Sequence, residues 1–114
     1  RIAHVVKLLL KHGISVCVST ITPYKESREI ARKIVNGNRF IEMYLKCSPQ
    51  VCEDRDVKGM YKKARNGEIK DFTGVSAPYD IPTNPDLIID TENCAVEENI
   101  RNIQNYLTLH HFID

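Results

Sequence analysis

The sequence predicts an α/β fold, a parallel sheet with flanking helices, on two observations. Runs rich in β-branched residues alternate with segments whose apolar residues recur at helical spacing, the order produced when helices cross over between parallel strands. The 114 residues, 42% apolar and 27% charged, suit a single folded domain over 1–114 and not a disordered chain.

The elements follow in order. Ile2, Val5, Val6, Leu9 and Leu10 repeat at helical spacing with His4, Lys7 and Lys11 opposite them, and Gly13 supplies a stop. Ile14 to Ile21 (ISVCVSTI) is β-branched and nearly free of charge, which predicts a strand buried on both faces. Thr22-Pro23 precedes a charged helical stretch from Lys25 to Val35, and Asn36-Gly37-Asn38 breaks the chain. A second strand is expected over Phe40 to Lys46. Ser48-Pro49 then reads as a helix cap with proline at the first helical position, opening a helix to about Arg55. Leu87-Ile88-Ile89 predicts a third strand, and Val96, Ile100, Ile103 and Leu107 a closing helix with Glu97 and Glu98 in its first turn. Three strands make a thin sheet, so a further strand and helix are expected ahead of Arg1.

Composition narrows the function classes. A net charge of +1 gives no global case for nucleic-acid binding. No apolar run approaches the length of a membrane span, and the amino end lacks the pattern of a signal peptide. Cys17, Cys47, Cys52 and Cys94 form no Cys-x-x-Cys pair and have no histidine at zinc-ligand spacing, which predicts reduced, partly buried thiols in a cytoplasmic protein and no metal site. His110 and His111 read as a solvated tail.

Two regions could carry chemistry. In parallel sheets ligands bind beyond the carboxyl ends of strands, here Ile21 to Tyr24, Cys47 to Pro49 and Asp90 to Cys94. At the first of these, Thr22 either faces a ligand with its hydroxyl or caps the next helix. The second region, Arg55 to Lys70, holds six basic and two acidic residues. Its lysines and arginines, interleaved with Tyr61 and Phe72 and interrupted by Gly59, Gly67 and Gly74, suit either a solvated face or a cationic segment closing over phosphates. The chain contains no Gly-x-x-x-x-Gly-Lys-Ser/Thr phosphate loop.

At Ile21-Thr22-Pro23-Tyr24, at Arg55-Asp56-Val57-Lys58-Gly59-Met60-Tyr61-Lys62-Lys63-Ala64-Arg65 and at Lys70-Asp71-Phe72-Thr73-Gly74, the sequence resembles the adenylyl-sulfate kinase (APS kinase) family. The likeness runs from Arg1 to the closing helix near Leu107. It implies a P-loop kinase fold with a lid over about 55–74, usually a homodimer, and it admits ATP sulfurylase as a fused or partner enzyme. The implied reaction moves the γ-phosphate of ATP, with Mg²⁺, to the 3′-hydroxyl of adenosine 5′-phosphosulfate, giving 3′-phosphoadenylyl sulfate for sulfate assimilation. By the same resemblance Ile21, Thr22, Lys58, Asp71 and Phe72 contact the phosphosulfate substrate, while Arg55 and Cys94 border the ATP adenine. The family commonly has serine at the position of Thr22, a residue phosphorylated in some members, so a catalytic role carries over only through the shared hydroxyl. The family's phosphate loop and Asp-Gly-Asp motif lie upstream of the matched region. A catalytically silent nucleotide-binding or regulatory α/β module is the alternative reading.

The missing phosphate loop yields a direct expectation: the 114-residue chain alone transfers no phosphate to adenosine phosphosulfate. A coupled assay giving turnover in the ordinary kinase range of about 1–100 s⁻¹ would refute it.

Overall fold

The computed structural model describes residues 1–35 and 40–114, so the break expected at Asn36-Gly37-Asn38 lies outside the described residues. The chain divides into two compact units, Arg1–Phe40 with Pro78–Pro82, and Ile41–Ala77 with Thr83–Asp114.

The first unit packs α1 (Ile2–Lys11) against α2 (Lys25–Val35). α1 ends where glycine permits it. Gly13 takes φ +75°, its amide bonds the Leu10 carbonyl at 3.1 Å, and the Ile14 amide bonds the Leu9 carbonyl at 3.2 Å. That pair of bonds is the left-handed helix stop. The strand expected over Ile14 to Ile21 does not form, because these residues join no ladder among the described residues. β-branched composition supplies a preference for extended backbone, but a strand also needs a partner for its amides and carbonyls. The segment is correspondingly open to solvent, with Ile21 67% exposed, and Cys17 is exposed rather than partly buried.

The second unit holds the sheet. β1 (Met43–Lys46) pairs in parallel with β2 (Leu87–Asp90), Met43 facing Leu87 and Lys46 facing Asp90. The parallel arrangement expected from sequence is therefore present, with two strands in place of three. β1 starts later than expected: Phe40 lies instead beneath the Arg32 guanidinium, 4.8 Å from its ring centre, within the first unit. The connection from β1 to β2 carries α3 (Pro49–Arg55) and α4 (Met60–Arg65), and α5 (Val96–Leu109) packs back on β2.

Ser48 caps α3 as its sequence predicts, Oγ accepting from the Val51 amide at 3.4 Å with Pro49 in the first turn. α4 and α5 repeat the stop seen in α1, with Gly67 at φ +77° and, at a higher conformational cost, His111 at φ +57°. In both, the next amide reaches back five residues, Glu68 to the Lys63 carbonyl and Phe112 to that of Leu107.

Ile89 of β2 and Ala64 of α4 are the buried apolar residues, and Asn99 of α5 is buried beside them in accessibility. Asn99 Nδ2 donates to the Asp90 carbonyl at 2.9 Å, fastening α5 to the last residue of β2. Replacing Asn99 by alanine removes the donor and leaves that carbonyl short of a partner, so Asn99→Ala should lower unfolding free energy by about 1–2 kcal/mol. Urea titration should show an earlier midpoint with an unchanged slope; an unchanged midpoint would mean the bond contributes nothing net.

Candidate functional site

The carboxyl ends of β1 and β2 are tied to each other. The Thr91 amide donates to the Lys46 carbonyl at 3.0 Å, and the Ser48 amide to Glu92 Oε2 at 2.7 Å. Asp90 folds the loop after β2 by accepting from the amides of Glu92 and Asn93 at 3.0 and 2.9 Å. The Asn93 side chain also donates to it, and these bonds hold the Asp90 carboxyl below the usual carboxylate range. α3 thus leaves the sheet from a fixed point.

The next turn builds the basic segment. Asp56 opens a four-residue turn closed by the Gly59 amide on its carbonyl at 2.8 Å, with Gly59 at φ +64°. Its carboxylate then reaches the first turn of α4, accepting from the Tyr61 amide at 2.9 Å and the Lys62 amide at 3.1 Å. Those amides have no partner within the helix, and a carboxylate there also meets the positive end of the helix dipole. The bond from the Tyr61 amide is the main reason the Asp56 carboxyl is held below its ordinary value. At the other end of α4, Arg65 makes a two-pronged pair with Glu53 of α3, Nε to Oε1 at 2.9 Å and Nη2 to Oε2 at 2.8 Å. Lys58, Lys62 and Lys63 are left exposed on the same short segment.

An open cleft of about 360 Å³ is lined by Cys52, Arg55, Asp56, Val57, Lys58, Met60 and Tyr61. The structure thus brings together two sequence-predicted residues, Arg55 and Lys58. Phe72 joins them through Tyr61, their rings meeting edge to face at 5.0 Å and 75°. Phe72 sits in a tight turn: its carbonyl accepts from the amides of Val75, Ser76 and Ala77, and its own amide donates to Ser76 Oγ at 2.9 Å. Asp71 precedes it in a left-handed conformation, φ +53°. Cys94 is not part of the cleft lining. It lies half-buried in the loop after β2, where loss of water, and then the Glu98 carboxylate, push its thiol pKa up.

Ile21 and Thr22 belong to the first unit. Thr22 has φ +41°, rare for a β-branched residue, and its hydroxyl shares a 2.8 Å hydrogen bond with Thr20 Oγ1. The start of α2 is served by Asp80, whose Oδ2 accepts from the Lys25 amide at 3.0 Å. Buried Arg28 spans the same turn, Nη1 donating to the Thr22 carbonyl at 2.9 Å and Nη2 to the Asp80 carbonyl at 2.7 Å. Sequence reading overlooked Arg28, Asp56 and Asp80. Asp56 had a signal, since Asp-x-x-Gly is a favoured turn pattern and a helix follows it. Arg28 and Asp80 had none, because their partners are distant in sequence.

Residues 1–90 match the family model of adenylylsulphate kinase. The chain belongs to that family. It is 50% identical over 113 residues to the adenylyl-sulfate kinase of Staphylococcus epidermidis, covering 99% of this chain and 57% of that protein. Against the Prochlorococcus marinus adenylyl-sulfate kinase it is 53% identical over 91 residues, 80% of this chain and 45% of the relative. The Mycobacterium tuberculosis APS kinase, solved in complex with AMPPNP and APS, superposes with a TM-score of 0.88 at 41% identity, covering 95% of this chain and 63% of that one. The fold is that of these APS kinases, P-loop kinases by the family's architecture. The chain spans about half the length of the curated relatives it matches.

The Asp56 cap makes the start of α4 sensitive to pH. Its carboxyl pKa is depressed on folding, so its contribution is full above the ordinary carboxylate range and is lost as pH falls through the depressed value. Amide exchange at Tyr61 and Lys62, corrected for intrinsic rates, should accelerate in that acidic window, and Asp56→Asn should abolish the pH dependence. Protection unchanged down to the acid limit would remove Asp56 as the cap.

Proposed function

We propose that the protein containing this chain is an adenylyl-sulfate kinase, transferring the ATP γ-phosphate to the 3′-hydroxyl of adenosine 5′-phosphosulfate. The observation that carries the reading is the fastened basic segment of Arg55 to Gly74, joined to family membership over residues 1–90. Both substrates are anionic purine nucleotides. They call for cations around phosphates and flat faces against bases, and the second unit supplies both kinds of group.

The residue roles follow from this geometry. Lys58, exposed at the cleft, supplies a compact positive charge to the phosphosulfate. Phe72, steadied edge-on by Tyr61, offers its ring to the base of that substrate, with Asp71 beside it. Arg55 presents a guanidinium face to the ATP adenine, and Cys94 borders the same base. Ile21 and Thr22 contribute backbone and hydroxyl groups toward the phosphosulfate, and the Thr22 hydroxyl is the one group there able to take part in proton movement. The segment over about 55–74 acts as a lid that shields transferring phosphate from water. A homodimer, a cytoplasmic setting and an ATP sulfurylase fused or acting beside it complete the proposal, and no described helix is long and apolar enough to cross a membrane.

Magnesium is the expected companion of ATP and would neutralise phosphate charge. Among the described residues no three His, Cys, Asp or Glu side chains converge as a metal site, so the residues present do not fit the ion and no step above goes through it.

Affinity measurements on the full-length protein separate the two lid roles. Base–aromatic stacking is worth about 1–3 kcal/mol, so Phe72→Ala should weaken adenosine phosphosulfate binding about 5- to 150-fold, with ATP affinity nearly unchanged and little dependence on salt. Lys58→Ala should produce a defect that shrinks as ionic strength rises, because screening already weakens the lysine in the unaltered protein. Equal damage to both ligands by Phe72→Ala would overturn the assignment of this ring.

A further inference from the structure

The start of α3 places two thiols against each other. With Ser48 as the capping residue, Cys47 stands just before the cap and Cys52 is the fourth helical residue. Side chains at these two positions meet across the first turn of a helix, a contact usually made by two apolar residues. Here both are cysteines, both half-buried and both free. The Cys52 thiol hydrogen-bonds with Cys47 and with the Tyr61 hydroxyl, and loss of water followed by the neighbouring sulfur pushes its pKa up. Arg55 Nη1 donates to Cys47 Sγ at 3.8 Å. Cys52 also lines the 360 Å³ cleft, which gives a small oxidant a route to the pair.

We propose that Cys47 and Cys52 form a redox-active dithiol that closes to an intramolecular disulfide at the head of α3. The two sulfurs are already in contact and need only approach to the bonding distance of about 2.05 Å, across a loop too short for large backbone movement. The oxidant is a small-molecule disulfide such as oxidised glutathione. One protein sulfur, having given up its proton, attacks the small disulfide, forming a mixed disulfide and expelling one glutathione thiolate, which takes up a proton. The second protein thiol loses its proton and attacks the protein sulfur of that mixed disulfide, expelling the second glutathione. Two electrons pass from the protein to the oxidant, and two molecules of reduced glutathione leave. Closure engages the sulfur that accepts from Arg55 and the thiol that bonds Tyr61, so the redox state is set within the wall of the cleft. The proposal does not depend on the kinase reading and stands or falls separately from it.

Peptide mass mapping after incubation in buffers of graded oxidised to reduced glutathione, with rapid alkylation of remaining thiols, tests the pairing on the unaltered protein. The expected product is one linked species joining Cys47 to Cys52, lighter by two hydrogens and reversed by dithiothreitol, with Cys17 alkylated throughout. Cys47→Ser and Cys52→Ser should each abolish it and leave a glutathione adduct on the remaining partner, whereas Cys17→Ser should change nothing. Linkage through Cys17 or Cys94 would overturn the proposal, as would glutathione adducts at Cys47 or Cys52 that persist in the unaltered protein without closing.

Discussion

The second unit depends on how the two loops beyond its strands hold one another. Ser48 is gripped from two directions: its amide is taken by Glu92 across the sheet, and its hydroxyl takes the Val51 amide of its own helix. The Thr91 amide on the Lys46 carbonyl carries the parallel ladder one residue further, so that the loops cannot slide past each other. This joint sets the origin and direction of α3. Everything after it inherits that placement, since Cys52, Glu53, Arg55 and Asp56 are fixed by helical geometry once the cap is fixed.

From there, carboxylates organise a segment that its own charge would push apart. Lys58, Lys62, Lys63, Arg65 and Lys70 repel one another within a short span. Asp56 offsets this at the positive end of α4, and Glu53 holds Arg65 at the other end. Neither carboxylate reaches the lysine ammonium groups, which remain exposed and free to meet phosphate. The acidic residues thus shape the backbone while leaving the cations available, a division that a uniformly neutralised segment would lack. Ion pairs on a surface add little stability by themselves; their effect here is geometric, since a two-pronged guanidinium–carboxylate pair fixes orientation as well as distance.

How much of this was legible depended on whether the partner lay nearby in sequence. The Ser48-Pro49 helix start, the Gly13 stop and the closing helix at Val96 are local devices, and all three stand where their residues predict. The parallel pairing of Met43–Lys46 with Leu87–Asp90 was also readable, from helices intervening between strand-like runs. Ile14 to Ile21 failed for a physical reason: its composition states a preference, but pairing is a property of two segments. Among the site residues, the neighbourhood of Arg55, Lys58 and Phe72 could be read through the density of cations and rings. The means of holding them could not, because Tyr61 meets Phe72 edge-on and Asp56 reaches over an intervening turn. Such contacts are set by backbone path, which no residue pattern in the segment records.

Thr22 shows the same logic in the first unit. A threonine at φ +41° carries a steric cost that glycine would avoid, of the order of 1–3 kcal/mol for a non-glycine residue held in a sparse region. Several fixed contacts surround it. Arg28, buried and spread between the carbonyls of Thr22 and Asp80, closes the turn from below, and the Asp80 amide on the Pro23 carbonyl at 2.8 Å closes it from the side. Asp80 then uses its carboxylate on the Lys25 amide, so the start of α2 and the conformation of Thr22 are set together. Strain at one residue persists only where neighbouring bonds over-determine it, and here a guanidinium and an aspartate from a distant loop do so. The hydroxyl of Thr22, bonded to Thr20 Oγ1, is therefore presented from a backbone that has little freedom to turn it away.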